Sequence, residues 1–170
     1  RVPCPRRDQV RPLLYTMAGA IFGWPILIAL ALERTTAAHA AVIAAVMPLV
    51  TAVIAVLRTH ERVARQFWIA AACGTGALIV FALLRGGGDG GNLVADLLIA
   101  GAVVASSWCY VEGATLTRQM PGWQVISWVV IFALPITLPV SIFIVATGGV
   151  TTPVTTQAWI GMLMLGVVSV

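Results

Sequence analysis

The sequence has no lysine, only six acidic side chains and two histidines among 170 residues. Charged residues make up 9% of the chain, against about 25% in a soluble globular domain. So few charges cannot cover the surface of a soluble domain this large, which leaves lipid as the main neighbour. Cysteine is scarce too. Cys4, Cys73 and Cys109 form no CxxC pair, and the last two lie in apolar runs, where cysteine acts as a small hydrophobe. A disulfide framework and a zinc site are therefore not expected, and neither is any cofactor. HExxH and GxSxG are absent, and Ser106, Ser107 and Ser127 have no histidine near them in sequence. No catalytic residue can be assigned, so an enzyme is not expected. The ten arginines leave a net charge of +4, but they are scattered through short polar stretches with no basic face interleaved with aromatics. That pattern excludes nucleic acid as a partner.

What the chain does have is long hydrophobic runs. Hydrophobic residues make up 60% of it, and its mean hydropathy is +1.00. Six apolar segments stand out: roughly Leu13 to Leu32, Ala37 to Leu57, Gln66 to Leu84, Leu93 to Thr117, Trp123 to Ala146, and Thr155 to Val170. About 20 helical residues cross the hydrocarbon of a bilayer, and the first five segments reach that length. The expected fold is an all-α membrane protein, a polytopic transmembrane helix bundle. The first stretch, Arg1 to Pro12, is polar and proline-rich, so it does not read as a signal peptide. With no starting methionine and an apolar end at Val170, the chain reads as an internal part of a longer protein.

Arginine placement predicts the orientation. With a cytoplasmic amino-terminal side, the inner stretches hold Arg1, Arg6, Arg7, Arg11, Arg58, Arg62, Arg65 and Arg118, and the outer ones only Arg34 and Arg85. The positive-inside rule favours that arrangement. Between the third and fourth segments, residues 85–92 form a glycine-rich stretch. It contains GxGxxG at Gly86, Gly88 and Gly91. That fingerprint has meaning only between a strand and a helix, so here it reads as a linker.

Small residues mark the faces where membrane helices approach closely. The second segment places Ala37, Ala41, Ala44, Ala45, Pro48, Ala52 and Ala55 on one stripe, and the first carries Gly19 and Gly23 as GxxxG. Pro25, Pro48, Pro135 and Pro139 are the candidate helix kinks, because a mid-helix proline frees a carbonyl. In the fourth segment Gly101, Ala105, Trp108, Glu112 and Thr115 form a small and polar stripe expected to face the bundle interior, with Val103, Val104 and Val111 pointing elsewhere. A carboxylate within the membrane costs about 3 kcal/mol or more, so Glu112 needs a partner or a wet cavity. It reads either as a carboxylate paired with an arginine or as a cavity wall and proton-coupling group. Asp96 reads as interfacial, and His39 lies opposite the alanine stripe. Trp24, Trp68, Trp123 and Trp159 fit an aromatic belt, while Trp108 and Trp128 lie deeper.

The run Glu33-Arg34-Thr35-Thr36-Ala37-Ala38-His39-Ala40-Ala41, then Pro48, Glu61-Arg62 and Trp68, resembles the end of an EamA domain. That domain is the repeat unit of the drug/metabolite transporter superfamily. Trp108-Cys109-Tyr110-Val111-Glu112-Gly113-Ala114 and Pro121-Gly122-Trp123-Gln124-Val125 look like the start of a second repeat, and Gly161 to Val170 is similar to the family's eighth helix. Ala70 departs from the pattern, since the family often has glycine nine residues after the loop glutamate.

The resemblance implies ten helices in two inverted five-helix repeats. Residues 1–84 would hold helices three to five, 85–92 the linker, and 93–170 helices six to eight. It further implies a multi-pass inner-membrane transporter that exports small metabolites, amino acids or drug-like amphiphiles by alternating access. Its partners would be the lipid bilayer, a small-molecule solute and protons, and a homodimer is compatible with it. The cavity candidates are Trp108, Glu112 and Trp128, with His39 and Trp24 nearer the outer mouth. The alternative is a non-transporting membrane scaffold or sensor.

Overall fold

The computed structural model describes residues 4–60, 64–84, 92–147, 159, 160 and 164. Every regular element among them is a helix. The glycine-rich residues 85–91, the Glu61-Arg62 turn and most of the sixth apolar segment lie outside the described residues.

The first span starts at Arg7, earlier than hydropathy alone predicts, because its opening turn is polar but well suited to a helix start. The Arg6 backbone N–H donates to Gln9 Oε1 at 3.0 Å, and Asp8 places a negative charge in the first turn. Helix α1 (Arg7–Met17) leads without a break into a π-helical segment, Ala18–Gly23, and then into α2 (Trp24–Leu32). The π geometry sits directly before Pro25: the Trp24 N–H reaches back five residues to Gly19 O, and Pro25 has no N–H to donate. Trp24 therefore lies inside a 26-residue span and not at its end.

The second span is also divided. Helix α3 (Ala37–Ala44) is capped by Thr36, whose side chain accepts from the His39 N–H, and α4 covers Met47–Thr59. Pro48 cannot donate to Ala44 O, so Ala45 and Val46 form a turn held by the short-range bond Val46 N–H to Ile43 O at 3.2 Å. His60 ends α4 in the left-handed region at φ 53°, with its N–H bonded to Val56 O. Helices α5 (Arg65–Leu84), α6 (Leu93–Thr117) and α7 (Gly122–Ala146) follow. Pro135 and Pro139 lie within α7, which runs as one helix through both.

Among the described residues, four spans are long and apolar enough to cross a membrane: Arg7–Leu32, Ala37–Thr59, Leu93–Thr117 and Gly122–Ala146. A shorter apolar stretch covers Arg65–Phe81. The chain is thus a multi-pass helical membrane protein. Packing divides it into Arg1–Ala133 and Leu134–Val170. In the second unit the described part of α7 exposes large apolar side chains such as Ile142 and Phe143.

In the first unit α6 is central, packed by α1, the π segment, α2, α3 and α4. Its Asn92 side chain accepts from the Val94 N–H at 2.9 Å, and its 25 residues contain no proline. Two apolar clusters flank it. One joins Leu13 and Met17 of α1 to Leu116, Val125 and Val129. The other joins Ala31 of α2 and Ala40 of α3 to Ala95, Ile99 and Val103 of α6.

Two face expectations need correction. Val103 and Val111 are buried while Trp108 is exposed, because α6 is enclosed from several directions and has no single inward stripe. Ala37 and Ala41 are exposed, and α3 turns His39 and Ala40 inward instead. The alanine stripe presumed one unbroken helix, and the turn at Ala45–Val46 removes that register.

Candidate functional site

Among the described residues, polar contacts cross from the second span to α6 at both ends and in between. At one end His39 Nε2 lies 2.8 Å from Asp96 Oδ1. Further along, Thr51 donates to Met47 O at 2.8 Å or to Ser107 Oγ at 3.0 Å, and the Ser107 hydroxyl lies 3.5 Å from the same carbonyl. At the other end Arg58 Nε donates to Glu112 Oε1 at 2.7 Å. Partners rise together in number, 39 with 96, 51 with 107 and 58 with 112. The second span and α6 therefore run parallel. A parallel pair is what the chain requires if the shorter apolar helix between them, α5, also crosses the membrane. Sixteen residues separate Asp96 from Glu112, or about 24 Å of helix. The two end contacts thus sit near opposite faces of a hydrocarbon layer about 30 Å thick.

The pairs differ in surroundings. Asp96 is 38% exposed, so water shares its charge. Glu112 is 1% exposed, Arg58 is 48% exposed, and Glu112 Oε2 has no partner among the described residues. A long arginine reaches in from the boundary to a carboxylate that cannot reach out. The expected arginine partner is Arg58, 54 residues away in the chain. A helical wheel hides the grouping. Ser107 sits about 20° from Asp96, but Glu112 lies about 140° beyond Ser107. No single stripe carries all three, and only the reach of Arg58 closes the gap.

The hydroxyl contact makes a quantitative expectation. Interhelical hydrogen bonds in membrane proteins contribute about 0.6 kcal/mol on average and at most ~1.7. Ser107→Ala should therefore cost roughly 1 kcal/mol in an unfolding titration, and little further loss should follow when Thr51→Val is added. Additive losses would mean that the two hydroxyls act separately.

The remaining candidates are placed elsewhere. Trp24 packs against the Ala31–Ala40–Ile99 cluster, and Trp128 stacks at 5.9 Å on Phe132 beside the other cluster. Trp108 meets Tyr15 edge-on, with ring centroids 6.5 Å apart, and lines a recess with Gly19 and Ala105. A separate apolar cavity of about 450 Å³ lies between the first span, α6 and the start of α7, lined by Thr16, Ile21, Cys109, Gly113 and Val129 among others. None of the five candidates lines that cavity.

Residues 3–83 match the EamA-like transporter family. The chain belongs to this family. YdeK of Bacillus subtilis (strain 168), an uncharacterized transporter, is 41% identical over 139 residues, which cover 82% of this chain and 48% of YdeK. The chain therefore spans about half the length of that curated relative. No solved structure matches it. The EamA match ends just before the glycine-rich stretch, and it contains His39, Thr51 and Arg58. Asp96, Ser107 and Glu112 all lie beyond it. The polar seam thus joins the EamA-matched segment to the first helix after it.

Proposed function

We infer that the chain forms helices three to eight of a secondary transporter that exports small metabolites, amino acids or drug-like amphiphiles by alternating access. In this reading residues 1–84 end the first EamA repeat, 85–92 link the repeats, and 93–170 begin the second. The amino-terminal side faces the cytoplasm across the inner membrane, as the arginine distribution supports. Pro25 and Pro48 serve as hinges, an assignment supported by the π segment and the turn beside them. The apolar recess beside Trp108, lined also by Tyr15, Gly19 and Ala105, favours a solute with a substantial apolar part.

One observation carries the reading: Glu112 is buried within a membrane helix, bound through one oxygen to Arg58 and with the other unpartnered. Ionisable groups are kept inside membrane bundles at a cost, and they mark solute and proton pathways. Glu112 is the proton-coupling group, while Trp108, Trp128, His39 and Trp24 belong to the wall and outer mouth of the solute path.

Counterflow in proteoliposomes tests this on the full-length protein, with a panel of amino acids and amphiphilic drugs across a pH gradient. The wild type should show saturable uptake that depends on pH. Glu112→Gln should fold and insert but lose the pH dependence. Unchanged pH dependence would remove Glu112 from that role, and absent uptake of every solute by inserted wild-type protein would remove the transport reading.

A further inference from the structure

Two polar side-chain pairs on one helix seam, with a broken helix on one side and an unbroken one on the other, are more than static cross-links. We propose that His39–Asp96 and Arg58–Glu112 are two latches that open in turn, with α6 as the rigid strut and the turn at Ala45–Val46 as the fulcrum. This rests on the alternating-access reading and names the parts that would carry it out.

The division of the second span makes independent opening mechanically cheap. Helix α3 is eight residues long, has its own cap at Thr36, and carries His39. Helix α4 carries Arg58. Between them, Pro48 has already removed a helix bond, so tilting α3 against α4 strains mainly the short-range Val46 N–H to Ile43 O bond at the turn. Helix α6 offers no matching joint. It runs from Leu93 to Thr117 without proline and is packed by several neighbours. The contact that stays in place is the one beside the fulcrum, where Ser107 and Thr51 meet around Met47 O. Ser107 is five residues from Glu112 and eleven from Asp96, or about 8 Å and about 16 Å along the axis. A rigid contact between two latches is the arrangement of a rocker.

The exposure pattern favours latches over permanent ties. Asp96 and Arg58 both reach water, so each pair can exchange its partner for solvent from one side. Glu112 cannot, because it is enclosed. Its surroundings supply few other charges. Arg58 comes from α4, and Tyr15 of α1 lies within electrostatic range of that arginine. Tyr110 and Cys109 belong to α6 itself, Arg118 caps its end, and the α7 residues packed at this end, Val125 and Val129, are apolar. Opening of this latch therefore has to go together with neutralisation of Glu112, whereas the His39 contact is a charge pair only while the imidazole is protonated. The two ends are chemically unlike, a guanidinium with an enclosed carboxylate at one and an imidazole with a half-exposed carboxylate at the other.

The test measures distances between spin labels in the full-length protein in nanodiscs, with Cys4, Cys73 and Cys109 replaced. One label pair, at Ala41 and Leu97, reports the His39 end, and another, at Leu57 and Thr117, reports the Arg58 end. Asp96→Asn should lengthen the first distance by about 5 Å, one helical turn, and leave the second unchanged or shorter. Glu112→Gln should do the reverse. Arg58→Lys, which keeps the charge, should resemble wild type. Both distances lengthening together, or neither responding to either variant, would overturn the latches. Counterflow on the same samples separates the two ideas: label movements without uptake in wild type would leave the latches standing and discard transport, whereas uptake with immobile labels would discard the latches alone.

Discussion

Replacing Arg58 by leucine is expected to destabilise the protein by about 3–5 kcal/mol, far more than a half-exposed arginine ordinarily contributes. The reason lies in what remains. Glu112 is enclosed, and Arg58 Nε is its partner at 2.7 Å. Without that partner a buried carboxylate keeps neither a cation nor water, and its second oxygen already lacks a hydrogen bond among the described residues. Removing both members should be far milder. Arg58→Leu with Glu112→Leu substitutes apolar contact for a pair whose desolvation cost offsets much of its attraction. In an equilibrium unfolding titration in mixed micelles, the double variant should therefore be more stable than Arg58→Leu alone. The coupling energy of the cycle should amount to about 2 kcal/mol or more. Simple additivity would mean that the 2.7 Å contact does not hold the fold together.

A substitution of a single hydrogen by a methyl group should have the next largest effect. A Cβ at Gly19 would stand 2.5 Å from Ala105 O and 2.6 Å from Cys109 Cβ. Both belong to the rigid central helix, and the first is backbone, so no flexible side chain can swing aside. Gly19→Ala should cost about 1–3 kcal/mol by overpacking, and Gly19→Leu should separate the first span from α6. Gly101→Ala on α6 provides the contrast. Its Cβ would meet only Leu27 Cδ1 at 3.5 Å, an ordinary contact, and the change gains about 0.5–1 kcal/mol of helix preference. Thermal unfolding in detergent should rank Gly101→Ala at or above wild type and Gly19→Ala well below it. Equal midpoints would show that the first span does not lie this close to α6. The GxxxG at Gly19 and Gly23 is visible in the sequence, but Ala105 as its counterpart is not.

The membrane class and the helix positions were legible from composition and run length alone. The second, fourth and fifth apolar segments end within two residues of the observed spans, since transfer from water to lipid acts on every residue and needs no partner. Family membership was legible as well, through the Glu33–Ala41 run and Pro48. The start of the first span was not, because Arg7 to Pro12 is too polar for a hydropathy reading, and only the Gln9 bond and the helix geometry place it. Inward faces failed for a related reason. A wheel drawn at 100° per residue cannot anticipate a turn at Ala45–Val46, nor that α6 is enclosed from several directions.

By itself, the sequence determined that this is a multi-pass helical membrane protein of the EamA-like family, that Glu112 needs a partner, and that prolines punctuate the first two spans. Those conclusions follow from local chemistry: hydropathy, the missing proline N–H, and the cost of a charge in lipid. Only the tertiary structure decided that the partner is Arg58 and that Asp96 holds His39. It also decided that Ser107 meets Thr51, and that Val103 and Val111 rather than Trp108 are enclosed. These pairings join residues 54 to 57 positions apart. Lipid fixes how far each helix extends but leaves its rotation nearly free. Close backbone contact at Gly19 and the few polar side chains that must find one another choose the rotation instead.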